Sequence, residues 1–280
     1  MTLAAGLALA LASTAALNLG WLVQHDAVAS LPRLSLKEPL RSLRSLLTNG
    51  RWLVGFVTGL LGWALYIAAL ALSPLSLVQA VSAGGIGLLA FAAARRRGVR
   101  LDSREAAAVA LSIGGLVLLA ASLAAGAAAG HAVTIGAVLL WLALSAVGVL
   151  VLAGPLARAL AGGAGLGLAA GTLYAAGDVA TKAAVGGHAV LIVAVLAAHG
   201  AAFAALQLAF QRGGALVTAG LNTLATNALP IVAGLALFHE ELPGGAAGAT
   251  RFLAFVLVVV GAVLLARSDG GEPVAAVHPS

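Results

Sequence analysis

The sequence predicts an all-α polytopic membrane protein of about nine transmembrane helices, built as two inverted repeats (helices 1–4 and 6–9) with helix 5 as a linker. Three observations carry that expectation. Of 280 residues, 62% are apolar and only 9% charged, with a mean hydropathy of +1.09. A soluble domain carries about a quarter charged residues, so there is too little polar material here to coat a water-facing globule. Apolar runs of about 20 residues recur along the chain, the length that crosses a bilayer as helix. Thirteen of the fifteen Lys and Arg residues follow alternate runs. Thirty-six glycines suit membrane helices, and the lack of cysteine excludes disulfides, thiolate metal sites and thiol nucleophiles. A pI near 11.1 in a soluble protein would suggest nucleic acid; in a membrane protein it reflects cations retained on one face of the bilayer.

The runs fall at 2–23, 52–72, 75–94, 105–125, 131–152, 163–184, 188–210, 214–238 and 247–266. Backbone groups in hydrocarbon must bond internally, which makes each a helix. The first has no basic residue ahead of it and is long for a signal-peptide core, so it is expected to stay as a span. Arg33, Lys37, Arg41, Arg44 and Arg51 follow the first run; Arg95, Arg96, Arg97, Arg100 and Arg104 follow the third. Arg158, Arg212 and Arg267 follow the fifth, seventh and ninth, while Lys182 and Arg251 fall on the other side. The positive-inside rule then places the N-terminus outside and the C-terminus in the cytoplasm, with the cell (plasma) membrane the expected site. The loop 24–51 carries Leu36, Leu40, Leu43, Leu46 and Leu47 among cations, a pattern shared by an amphipathic surface helix and a solvated connector. Residues 268–280 form a polar tail with the composition of a disordered segment.

Self-comparison gives three matches in the same order. LGWLVQHDAV (19–28) matches AGDVATKAAV (176–185), LVQAVSAGG (77–85) matches LVTAGLNTL (216–224), and GGLVLLAAS (114–122) matches VGAVLLARS (260–268). Helices one, three and four thereby pair with six, eight and nine. Each pair is five helices apart, an odd number, so the copies lie oppositely oriented. The expected organisation is a first repeat 1–125, a linker 126–157, a second repeat 158–267 and the tail.

Candidate functional residues lie where polar groups enter hydrocarbon. Asp178 is the one carboxylate well inside a span, at an insertion cost of roughly 2.5–3.5 kcal/mol. Gly163, Gly167 and Gly171 form a small-residue stripe that Tyr174, Asp178 and Lys182 continue at helical spacing, turning Asp178 toward the bundle. Lys182, one turn on, either neutralises it or snorkels to the surface. His199 near the centre of helix seven can carry protons or serve as a hydrogen-bonded core histidine. Helix eight holds Thr218, Asn222 and Thr226 on one face, Thr223 and Asn227 beside it, and then Pro230. Helix three offers Ser76, Gln79 and Ser82, and helix one Thr14 and Asn18. These amides and hydroxyls line a polar route or act as interhelical glue worth about 0.6 kcal/mol each. His239, Glu240 and Glu241 close helix eight; the two glutamates are weak metal-ligand candidates that solvation at a helix end explains equally well.

PLSLVQAVSAGG (74–85) followed by RRRGVRLDSREAAAVALSIGGLVLL resembles the third and fourth helices of a repeat of the drug/metabolite transporter (EamA-like) superfamily. GTLYAAGDVATKA (171–183) resembles the helix opening its second repeat, with Lys182 at a lysine often found there. ALPIVAGLALFHEELP with VLVVVGAVLLARS resembles the closing pair, with Glu240 or Glu241 at the usual glutamate. Nine spans with a long first loop are similar to the NIPA-type magnesium transporter branch, although Trp63 follows Gly62 where that branch commonly has Gly-Glu. The resemblance implies magnesium as substrate. The residues themselves argue otherwise, since Mg²⁺ wants several hard oxygen ligands and Asp178 stands with a cation one turn away.

The expectation is therefore a secondary transporter moving a small solute by alternating access, with Asp178 or His199 as the site of any proton coupling. The alternatives are a NIPA-type Mg²⁺ transporter and a non-transporting scaffold or subunit. No Walker A motif and no nucleophile–base constellation occurs, so an enzyme is not expected. Expected partners are the lipid bilayer and a small-molecule or ion substrate, with no nucleic acid and no cofactor; homo-oligomerisation is left open.

Overall fold

The computed structural model describes residues 2–29, 44–98, 100–123, 130, 133–155, 164–212 and 215–268. Among these are nine α-helices of 19 to 28 residues and no strand. Most of the expected loop helix (Leu36, Leu40, Leu43), Gly163, Arg158 and the tail from residue 269 lie outside the described residues. Six of the nine helices are long and apolar enough to cross a membrane. The chain divides into two units, Met1–Leu72 and Ser73–Ser280.

The first unit is a hairpin of α1 (Thr2–Ala29) and α2 (Gly50–Leu72). Asn49 starts α2 by accepting the Trp52 amide on its side-chain oxygen at 2.9 Å, an N-cap that satisfies one orphan donor. The two helices run antiparallel at close range. A Cβ on Gly20 would overlap the backbone of Gly55 and Gly59, and one on Gly62 would overlap Leu17. Ser13 Oγ donates across this contact to the Gly62 carbonyl at 2.8 Å. Lacking a hydrophobic drive between helices in lipid, such small-residue contact and interhelical hydrogen bonding are what hold a pair together. Val54, Val57 and Leu61 of α2 stay over half exposed, as lipid-facing side chains should.

The second unit contains α3 (Leu75–Arg97), α4 (Ser103–Leu123), α5 (Ile135–Ala153), α6 (Ala164–Val185), a 3-10 turn (Ala189–Leu191), α7 (Ile192–Arg212), α8 (Ala215–Ala236) and α9 (Gly245–Ser268). Local chemistry sets their ends. Pro74 stops the preceding helix and leads into α3, and Gly98 ends α3 in the left-handed conformation at φ 66°. Asp102 and Glu105 start α4 as a reciprocal capping box, with N···O distances of 2.7 and 3.1 Å. Thr134 caps α5.

Close contacts give relative directions. Gly84 and Gly87 of α3 meet Leu116 and Ser112 of α4 in reverse order, and Gly115 and Ser112 meet Val258 and Gly261 of α9 likewise in reverse. Gln79 and Ser73 meet Asp178 and Lys182 in reverse, so α3 and α6 are antiparallel. Gly167 and Gly171 meet Thr218 and Asn222 in the same order, so α6 and α8 are parallel. His188, just after α6, bonds the Val133 carbonyl just before α5 at 2.8 Å. Successive helices of this unit thus reverse direction.

Packing sorts the helices by polarity. In α5 only Val138 is buried, while Leu140, Leu144 and Val147 point outward. Most of α6 is buried, from Ala164 to Ala183. The helices α3, α6 and α8 carry Gln79, Asp178, Thr218 and Asn227 into the interior, where polar groups of a membrane bundle find protein rather than lipid beside them.

Two adjacent glycines test this packing. A Cβ on Gly115 would overlap Val258 and the α9 backbone, whereas one on Gly114 meets nothing within 4 Å. Gly115→Val is expected to lose about 1–3 kcal/mol through overpacking. Gly114→Ala should gain a few tenths from helix propensity. Thermal melts of both variants in detergent check the contrast.

Candidate functional site

Asp178 is 6% exposed on α6, and three helices converge on it. Gln79 of α3 donates its amide Nε2 to Asp178 Oδ2 at 2.6 Å. His199 Nε2 of α7 stands 3.6 Å from Oδ1. The α6–α7 hairpin aligns this pair, because Asp178 lies seven residues before the end of α6 and His199 seven after the start of α7. Gly177 makes the approach possible: a Cβ there would overlap the imidazole. Tyr174, one turn below Asp178, meets the same ring edge to face with centroids 5.9 Å apart.

The hydrogen bonds set the tautomer. His199 Nδ1 lies 2.9 Å from the Val195 carbonyl, which only accepts, so that nitrogen carries the proton. In a neutral ring Nε2 is then an acceptor facing a carboxylate oxygen. Two acceptors at 3.6 Å attract only when one holds a proton.

One turn beyond Asp178, a second cluster ties down the start of α3. Lys182 Nζ donates to the Ser73 carbonyl at 2.8 Å. Glu240, 5% exposed, accepts the Leu75 and Ser76 amides at 2.5 and 2.8 Å, one on each oxygen. A carboxylate on free helix N–H groups is stabilised by hydrogen bonding and by the helix dipole together. Glu240 is thus a cap, and among the described residues no group of three or more His, Asp or Glu is placed to hold a metal ion. Glu241 and His239 are exposed. Arg251 of α9, 2% exposed, donates from Nε and Nη2 to Ser122 Oγ and the Ser122 carbonyl at 3.1 and 2.8 Å. It lines a small cleft with Pro74, Glu240, Glu241 and Leu242.

The other sequence candidates sit apart from Asp178 or bond locally. Ser82 is half-buried on α3, one turn beyond Gln79. Asn227 donates to the Thr223 carbonyl of its own helix at 2.8 Å. Asn222 Oδ1 and Thr226 Oγ1 are buried without a partner among the described residues. Asn18 belongs to the first unit, where it donates to the Thr14 carbonyl at 2.8 Å. Sequence reasoning did not foresee Gly177 as the seat of His199, Glu240 as a cap, or Ser122 as the partner of Arg251. A glycine directly before an intramembrane acid was the available signal for the first.

The cap predicts a graded effect. Glu240→Ala leaves two buried N–H groups unpaired and is expected to lose about 2 kcal/mol or more, while Glu240→Gln keeps one acceptor and loses less. Melting temperatures of the purified variants check the order.

Comparison with known proteins finds no matching family model and no matching solved structure. One stretch is similar to a protein of Arabidopsis thaliana described as "Probable magnesium transporter NIPA9". The two are 42% identical over 81 residues, which is 29% of this chain and 23% of the relative. The chain thus matches under a quarter of that relative's length, and its long apolar helices mark an integral membrane protein.

Proposed function

We propose that the chain is a secondary transporter of the drug/metabolite superfamily type, moving a small solute by alternating access, with Asp178 and His199 carrying a coupling proton. The observation that supports it most is the Asp178 cluster: a buried carboxylate held by one neutral amide and one imidazole, on three different helices. A purely structural ion pair would match the carboxylate with a fixed cation. A carboxylate facing an imidazole instead changes charge with one proton, and that change alters its attraction for a solute's donor groups. The reading includes nine crossings in two inverted repeats, α1–α4 and α6–α9, with the N-terminus outside and the plasma membrane as location. The opposite directions of α3 and α8, and of α4 and α9, support it.

A second reading, Mg²⁺ transport, is favoured by the similarity to the NIPA9 protein. Mg²⁺ would pass largely hydrated, since Asp178 supplies one carboxylate and Mg²⁺ ordinarily keeps several waters.

Uptake by proteoliposomes across a panel of solutes, with and without a pH gradient, separates the readings. Transport that a pH gradient drives, reduced at least tenfold (about 1.4 kcal/mol) by Asp178→Asn in protein that melts normally, is the expected result. A folded protein that moves nothing across the panel contradicts it. Rescue of a magnesium-transport-deficient host by the chain would decide for the second reading.

A further inference from the structure

Three charged side chains at one end of the second unit hold backbone groups from distant parts of the chain. Glu240 accepts the Leu75 and Ser76 amides, 165 and 164 residues away in sequence. Lys182 donates to the Ser73 carbonyl, 109 residues away. Arg251 donates to the hydroxyl and carbonyl of Ser122, 129 residues away. The amides belong to the first turn of α3 and the Ser122 carbonyl to the last turn of α4, groups that a helix leaves without an internal partner. The signs suit the helix dipoles: a carboxylate meets the positive start of α3, and a guanidinium the negative end of α4.

Caps elsewhere are local. Asn49, Thr134 and the Asp102–Glu105 pair each serve an amide three residues away. A local cap travels with its helix and is indifferent to where that helix goes. A cap borrowed from another part of the chain holds only while the two parts keep one relative position. Here α6, α9 and the turn after α8 hold α3 and α4, so the bonds tie the helices before α5 to those that follow it.

The backbone is shaped to deliver Glu240. A Cβ on Gly234 of α8 would overlap both the Glu240 carboxylate and the Ser76 amide, so only glycine leaves room for that bond. His239 sits at φ 51°, in the left-handed region that a Cβ disfavours. That turn brings Glu240 back onto the helix end, where its own amide bonds the Gly234 carbonyl at 3.0 Å. Strained residues of this kind gather at functional and switching parts of proteins.

Position relative to Asp178 gives the cluster its use. Lys182 lies one turn beyond Asp178 on α6, about 6 Å along the axis. Val179, Thr181 and Ala183 at this level are buried, so the unit is closed over Asp178 here. The bonds border a small cleft lined by Pro74, Glu240, Glu241 and Arg251. Glu241 is exposed, so groups released at this end exchange their bonds with water at small net cost.

We propose that Lys182, Glu240 and Arg251 act as one latch, which closes the bundle over Asp178 at this end and releases α3 and α4 together when the path to Asp178 opens there. Its part in alternating access rests on the transport reading above; the latch itself does not.

The chain has no cysteine, so a single reporter thiol can be placed beneath the latch. Ser82→Cys puts it on α3 about 9 Å past Ser76. A membrane-impermeant methanethiosulfonate is applied to each face of sealed vesicles in turn. Glu241→Cys, in a separate protein, marks which face carries the latch. With the latch intact, the reporter should label slowly from that face. Arg251→Met removes the bonds to Ser122, whose hydroxyl keeps its own bond to the Leu119 carbonyl at 2.7 Å. Gly234→Ala wedges the Glu240 carboxylate off α3 with every charge retained. Each should raise labelling from the latch face about tenfold and leave labelling from the opposite face unchanged or slower. No change from the latch face, or an equal rise from both faces, overturns the proposal. The two substitutions act by different means, so one that fails to fold leaves the other to decide. Labelling needs no transported solute. A protein that moves nothing yet labels as expected keeps the latch and loses the transport reading, whereas an active transporter indifferent to both substitutions loses the latch alone.

Discussion

The rest of the second unit is arranged around one energetic demand, the burial of the Asp178 charge. An ionised carboxylate away from water is tolerated only where polar partners replace the lost hydration. Meeting that demand brings Gln79 from α3 and His199 from α7 to a single side chain on α6. It also explains why those partners sit where they do in sequence. Gln79 is one turn inside α3, so α3 must begin close by, and the residues before it are anchored by Glu240 and Lys182. Gly177 is the steric counterpart, since only a residue without a side chain lets the imidazole approach α6 at that level.

The anchor at the start of α3 couples separate parts of the chain. Its amides are held by the loop after α8 and the preceding carbonyl by the end of α6. Movement of α3 relative to α6 and α8 must exchange these bonds for others or for water. The Gln79–Asp178 bond lies on the same pair of helices, so a change in the charge of Asp178 and a movement of α3 act on one another. In the transport reading proposed above, protonation or solute binding at Asp178 would weaken one of the contacts that hold α3 in this position. α5 stands apart from these contacts: only Val138 of it is buried, and its Leu140, Leu144 and Val147 face outward.

The helices were legible because hydrocarbon leaves a long apolar segment no alternative to helix, and their ends fall within a few residues of the apolar runs; α1, which continues to Ala29, departs most. The inward face of α6 was legible from Gly167, Gly171 and Asp178, since small residues and an acid share one stripe for the same reason: both need protein beside them. Which helix supplies the partner was not legible. Gln79 and His199 are 99 and 21 residues from Asp178, and no local pattern encodes a contact that depends on three helices crossing at one level. Glu240 shows the same limit. At the end of an apolar run it has the pattern of a solvated residue, and only the approach of the α3 N-terminus makes it a buried cap. The acceptor that Lys182 meets is likewise a backbone carbonyl, at Ser73, which no side-chain pattern announces.

The central claim is that Asp178 is held in the bundle by Gln79 rather than merely lying near it. A double-mutant cycle on thermal stability measures this directly, with Gln79→Leu, Asp178→Leu and the pair, and requires no knowledge of the solute. Each single change strands a buried polar partner, whereas the double change removes both. The account predicts a double variant about as stable as either single one or more so, with a coupling energy above about 1 kcal/mol. Losses that simply add would contradict it.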